Sequence, residues 1–161
     1  METVPYDKRS GKVWFNGELI NWTDAKVHVL NHGLHYASCV FEGERVYDGE
    51  IFKLEEHTDR LFYSAKRMGI VIPYSPKEIN TASKEIVTAQ KIKDGYVRPI
   101  IWRGSEMMAI SAQKNKIHVA IASWEWGSYF DPNLKLKGIK LNISSWRRPA
   151  PNSVPWDTKA A

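Results

Sequence analysis

The chain has 161 residues, 43% hydrophobic and 25% charged, which suits one domain, or one domain and the start of a second, with enough apolar material for a core. No stretch approaches the roughly 20 apolar residues of a membrane span, METVPYDKRSGK lacks an apolar signal region, and the single Cys39 leaves no intramolecular disulfide or thiolate zinc cluster, so the expected setting is cytoplasmic with no membrane partner. The net charge of +5 falls entirely within residues 132–161, where Lys135, Lys137, Lys140, Arg147, Arg148 and Lys159 face Asp157 alone, and a neutral first 131 residues argues against a nucleic-acid partner.

Lys12 to Trp22 places two short apolar runs around Asn16-Gly17, the strongest type I′ hairpin signal, because both central residues need a positive φ. Val40 to Lys53 repeats the device around Asp48-Gly49. Alternation there sends Phe41, Gly43, Arg45 and Tyr47 to one face and Val40, Glu42, Glu44 and Val46 to the other. From Leu54 to Met68 the apolar positions recur at helical spacing, and Gly69 is placed to end the helix. Ser75-Pro76-Lys77-Glu78 announces a second helix through a capping box with proline in the first turn, running to Lys91 and ending by Gly95.

Tyr96 to Trp102, Ile117 to Trp124 and Gly138 to Trp146 read as strands, with a polar loop carrying Met107-Met108 between the first two. The expected architecture is α+β: a largely antiparallel sheet with two helices on one face. A boundary near Phe130-Asp131-Pro132-Asn133 divides residues 1–131, a small N-terminal domain, from residues 132–161, a linker and the first strand of a second, cofactor-binding domain.

The local chemistry leaves several readings open. His32, His35 and Tyr36 lie close together, yet no second cluster offers metal spacing, so hydrogen-bonding roles are favoured. Tyr96 and Arg98 share a strand face; they suit a half-exposed edge pair or a fork for a carboxylate. Trp124, Trp126 and Tyr129 could wall a pocket or edge a core.

The stretch VHVLNHGLHYASCVFEGERVY (residues 27–47) resembles the signature region of branched-chain amino-acid aminotransferases, pyridoxal-phosphate enzymes of fold type IV. The EEHTDRL helix, Tyr96-Val97-Arg98-Pro99, Trp126-Gly127-Ser128-Tyr129 and SSWRRPAPNSVPWDTKAA follow in order at compatible spacing, so the resemblance covers essentially the whole chain. It implies that Lys159 holds the cofactor as a Schiff base and shuttles the substrate proton, a role composition alone would never assign to a lysine so placed. It implies that Arg60 grips the cofactor phosphate; without the resemblance Arg60 reads as a surface ion pair with Glu56.

By the same resemblance Tyr36, Phe41, Tyr96, Arg98, Trp126 and Tyr129 line the substrate pocket, aromatics for a leucine, isoleucine or valine side chain and the Tyr-Arg groups for the distal carboxylate of glutamate or 2-oxoglutarate. Tyr36 and the Met107-Met108 loop would approach the site of a neighbouring subunit, which implies a homodimer or larger assembly. The family continues past the match to Lys159, where it keeps a carboxylate for the pyridine nitrogen and amides for the phosphate, so residues 1–161 alone are expected not to hold pyridoxal phosphate. The alternatives are another fold-type IV enzyme, a D-amino-acid transaminase or aminodeoxychorismate lyase, or a non-catalytic dimerisation or binding domain.

Overall fold

The computed structural model describes residues 4–127 and 132–161. Both turn pairs take the backbone their residues dictate: Asn16 and Gly17 have φ of 50° and 102°, Asp48 and Gly49 of 49° and 84°. The first joins β1 (Lys12–Phe15) to β2 (Glu18–Asn21). After a short helix α1 (His32–Tyr36) come β3 (Cys39–Phe41), β4 (Glu44–Tyr47) and β5 (Glu50–Ile51), the second turn joining the last two. Helices α2 (Leu54–Arg67) and α3 (Pro76–Ala89) precede the long hairpin β6 (Gly95–Arg103) and β7 (Ile117–Glu125), and α4 (Pro132–Lys137) follows. The expected capping box is present: Ser75 Oγ accepts from the Glu78 amide at 3.3 Å and the Glu78 carboxylate accepts from the Ser75 amide at 2.7 Å.

The strands form one antiparallel sheet in the order β2-β1-β7-β6-β4-β5, with β3 also on β6. Alternation decides which face each side chain meets. Val97, Ile101, Val119 and Ile121 pack with Leu61 and Ala65 of α2 and Ile79 and Ile86 of α3 in one core, each fully buried isoleucine or leucine contributing roughly 1.5–3 kcal/mol. Helices therefore cover one face, as the sequence predicts. The opposite face carries a smaller apolar cluster around Val13, Trp102 and Ala120 and is open beside it.

One break in the sheet matters for the site. Glu42 donates its amide to the Pro99 carbonyl at 2.9 Å, so the edge of Pro99 that faces the β3–β4 segment would also have carried its N–H. Proline has none, the return bond is missing, and β3 and β4 separate at Glu42-Gly43.

The expectation of a strand over Gly138 to Trp146 is not met. The segment has no regular structure, and Ile139, Leu141, Ile143 and Trp146 are exposed; a strand needs a neighbouring ladder, and none of the described strands pairs with it. The chain then returns: Asp157 to Ala161 dock against α2 and β3, a contact the sequence reading does not foresee. Of the boundary placed near Phe130-Asp131-Pro132-Asn133, Phe130 and Asp131 lie outside the described residues, and Pro132 begins α4.

Candidate functional site

The open sheet face brings together Phe41, Tyr96, Arg98, Trp126 and Lys159. Arg98 donates from Nη2 to the Tyr96 hydroxyl at 3.3 Å, and its guanidinium lies 4.8 Å from the Phe41 ring centre and 5.3 Å from that of Tyr96. Its Nε is buried without a hydrogen-bond partner, and no carboxylate pairs with it among the described residues. A cation held between aromatics with a donor unused is built to receive an anion.

Tyr96 is placed by its neighbours. Its ring packs on Trp124 at 5.3 Å and on Trp126 at 4.9 Å, and its hydroxyl lies over Gly43, where any Cβ would overlap it. Arg45 donates to the Trp126 carbonyl at 2.9 Å, fixing the segment that carries this indole.

Lys159 reaches the site through its backbone. The Phe41 amide donates to its carbonyl at 3.0 Å, its own amide donates to Ser64 Oγ of α2 at 3.1 Å, and Ala160 bridges to Val40. Two residues earlier, Asp157 accepts from the Tyr63 hydroxyl at 2.5 Å and lies 3.4 Å from Arg67 Nε. The Tyr63 bond holds the Asp157 carboxyl below its ordinary value. The Lys159 amine lies 5.1 Å from the Phe41 ring centre, so it and the Arg98 guanidinium are no more than about 10 Å apart.

Arg60 stands one helical turn before Ser64 on α2. Its partner is Glu42, not Glu56: Nε donates to Oε1 at 2.5 Å and Nη2 to Oε2 at 2.7 Å, while Glu56 is taken by Lys53. Glu56 lies in the helix's own first turn, but the β3–β4 break puts Glu42 beneath the guanidinium. Glu42 is fully buried and also meets His57 Nδ1 at 2.9 Å. Burial pushes its carboxyl up, but the Arg60 and His57 bonds outweigh that and hold it below its ordinary value. Glu44, two positions on, is buried with neither oxygen bonded among the described residues, and burial, with the Glu42 charge adding, pushes it up to about 8.

Sequence reasoning missed both glutamates as site elements. The signal was present: they alternate with Val40 and Val46 on the core-facing side, where a carboxylate must be paired or protonated.

Tyr36 is not brought to this group. It stacks on His32 at 4.5 Å and donates to the Met108 carbonyl at 3.1 Å, so Tyr36 and the methionine loop travel together. His32 bonds Ser38 Oγ at 2.6 Å and the Ala109 carbonyl at 3.2 Å, and no group of three metal-ligating side chains occurs among the described residues. No helix among them is long and apolar enough to cross a membrane. Tyr129 lies outside the described residues.

Comparisons with known proteins show the family and the fold of this chain. Residues 39–161 match the model of the amino-transferase class IV family. The chain is 46% identical over 144 residues to the branched-chain-amino-acid aminotransferase of Pseudomonas aeruginosa, covering 87% of this chain and 47% of that protein. It is 44% identical over 161 residues to the probable branched-chain-amino-acid aminotransferase of Rickettsia conorii, covering 100% and 54%. Among solved structures, the T.th. branched-chain amino acid aminotransferase with pyridoxamine 5′-phosphate superposes with a TM-score of 0.88 at 37% identity, over 94% of this chain and 51% of that one. The chain thus spans about half the length of the relatives it matches.

Proposed function

The chain belongs to the class IV amino-transferase family, and from that premise we propose that its protein moves the amino group of leucine, isoleucine or valine to 2-oxoglutarate with pyridoxal phosphate as cofactor. The observation that carries the reading is the convergence of two cations without carboxylate partners among the described residues, Lys159 and Arg98, on the Phe41 ring. An amine beside an anion receptor is what amino transfer to a 2-oxo acid requires. The apolar ring between them suits a branched side chain.

The residues present fit the cofactor. Lys159 is half-buried as a residue, and no acid pairs with its amine among the described residues, which suits an amine that must attack an aldehyde. Arg60 keeps donors outside its pair with Glu42, and its side chain is 51% exposed, as a phosphate grip has to be. Pyridoxal phosphate, when bound, supplies an aldehyde that condenses with amines and a ring that withdraws electrons from the adjacent carbon.

The chain's own residues do the rest. With the cofactor bound, Lys159 Nζ would take the proton from the substrate Cα and hold it for return. Arg98, backed by the Tyr96 hydroxyl, receives the carboxylate of glutamate or 2-oxoglutarate through a planar fork. Phe41 and Trp126 offer apolar surface to the leucine side chain, and Trp126 is steadied by Arg45. Tyr129 is assigned to the same wall by the resemblance alone.

A homodimer, cytoplasmic as the sequence suggests, completes the proposal. Supporting it, Val27, Val29, Leu30, Leu34 and Tyr36 are exposed together, an apolar patch of the kind that a second copy covers. Tyr36 and Met108 would then reach the neighbour's pocket. Residues 132–161 are proposed to open the cofactor-binding domain, with Asp157 to Lys159 as its point of contact with the first.

The deciding assay offers the full-length protein, not residues 1–161 alone, L-leucine and D-alanine with 2-oxoglutarate. Leucine should be strongly preferred, and the visible absorbance that depends on the bond between Lys159 and the cofactor should vanish in Lys159→Ala. A preference for D-alanine would sink the substrate reading.

A further inference from the structure

We infer that Glu42 is the positioning residue of Arg60: it takes the side edge of the guanidinium and so presents the end edge, ready oriented, to the cofactor phosphate. The inference rests on the reading that Arg60 holds that phosphate. Its own foundation is the geometry of a buried carboxylate with every oxygen committed.

A guanidinium has five N–H donors. Glu42 takes the one on Nε and one on Nη2. That leaves both donors of Nη1 and the second of Nη2. One from each nitrogen points along the end of the fork, the pair that grips two phosphate oxygens at once. An arginine free in solvent samples many rotamers and loses that freedom when it binds. Here α2 and Glu42 have already fixed it.

The anchor is itself immobile. Glu42 is 0% exposed; its Oε2 accepts from the Gly43 amide at 3.3 Å as well as from His57, and its amide is tied to Pro99. Because a carboxylate only accepts, the His57 Nδ1 at 2.9 Å carries the proton that it donates. The 3.4 Å approach of Arg60 Nη2 to the same nitrogen is therefore a contact between two donors and not a bond. His57 braces the anchor and leaves the fork to Glu42.

Charge leads to the same conclusion. Glu42 cancels much of the Arg60 charge locally, so the attraction for a phosphate comes from where the donors point more than from net charge. A lysine at position 60 would keep the charge and lose the fork.

The test measures affinity of the full-length protein, not of residues 1–161 alone, for pyridoxal phosphate and for pyridoxal, by quenching of tryptophan fluorescence, with thermal unfolding of the cofactor-free protein alongside. Arg60→Ala should weaken pyridoxal phosphate roughly 10- to 100-fold, as loss of charge-assisted bonds does, and leave pyridoxal unchanged. No effect there would remove the reading on which the inference rests. Glu42→Gln should weaken pyridoxal phosphate about tenfold in the parent but add nothing in the Arg60→Ala background, although Tm falls in both. An equal loss in both backgrounds, or none in the parent, would overturn the inference while leaving the Arg60 reading standing. Should Glu42→Gln fail to fold, Arg60→Lys, at a half-exposed position, decides: it should bind pyridoxal phosphate as weakly as Arg60→Ala, and parent-like affinity would overturn the inference.

Discussion

The Phe41 amide donates to the Lys159 carbonyl at 3.0 Å, so the residue whose ring lies on the open sheet face and the lysine proposed to carry the chemistry share one backbone hydrogen bond. With the Lys159 amide on Ser64 Oγ at 3.1 Å, the lysine is held at both its polar backbone atoms, one by the sheet and one by α2. Its side chain is left as the mobile part. That division suits an amine that must approach and leave a reacting carbon while its root stays fixed.

Ser64→Ala removes the α2 half of this clamp. Ser64 is fully buried, so the Lys159 N–H loses its partner in a place water does not readily replace it, at a cost of about 1–3 kcal/mol. The expected result is a fall in the rate constant for the proton-transfer half-reaction with leucine, measured by stopped-flow absorbance, with cofactor affinity little changed. An unaltered rate would show that the strand bond alone suffices.

Arg98→Lys keeps the charge but not the planar fork. Since Arg98 is the proposed receptor for the second carboxylate of glutamate and 2-oxoglutarate, KM for 2-oxoglutarate should rise by roughly 10- to 100-fold, the worth of a charge-assisted pair. KM for leucine should move much less. Equal increases for both substrates would contradict the assigned role.

Gly43→Ala tests why a glycine stands at the β3–β4 break. Its Cβ would overlap the Tyr96 hydroxyl, and overpacking of this kind costs about 1–3 kcal/mol. Thermal unfolding should show the loss, and Tyr96→Phe in the same chain should recover only part of it, because it removes the overlapping oxygen but leaves the ring carbon Cζ 2.6 Å from the Cβ position. Additive losses in the double variant would mean that the ring was never displaced.

These particular residues show where the sequence was legible and where it was not. Turns and helix starts were, because Asn16-Gly17, Asp48-Gly49 and Ser75 to Glu78 act on their own few residues of backbone. The faces of the β3–β4 segment were too, since alternation has a period of two whatever the sheet does. Which side chains would meet depended on contacts distant in sequence. Arg60 could be matched to Glu56 by helical spacing, but Glu42 comes beneath it only once α2 packs on the sheet and Pro99 interrupts the ladder. The stretch Gly138 to Trp146 has the composition of a strand, but composition cannot supply a neighbour.

Glu44 gives the sharpest dependence on pH. Its carboxyl is pushed up from an ordinary 4.5 to about 8, first by burial and then by the Glu42 charge. The folded protein therefore holds a proton at Glu44 that the unfolded chain has released throughout that interval. A raised value means that the stability it carries is fully present below about pH 4.5 and is lost as pH rises towards 8, at about 1.4 kcal/mol per pH unit, with no further loss above that. Glu44→Gln keeps the shape and stays neutral at every pH, so the variant should lack this slope. Urea unfolding of the parent and the variant should give equal stabilities near pH 4.5 and an increasing advantage to the glutamine up to pH 8. Glu42 titrates in the opposite sense, its stability lost as pH falls, but it is present in both proteins and cancels in the difference. Two curves that run parallel from pH 5 to 8 would mean that Glu44 is ionised in the folded protein, and that the buried face of β4 holds a partner for it.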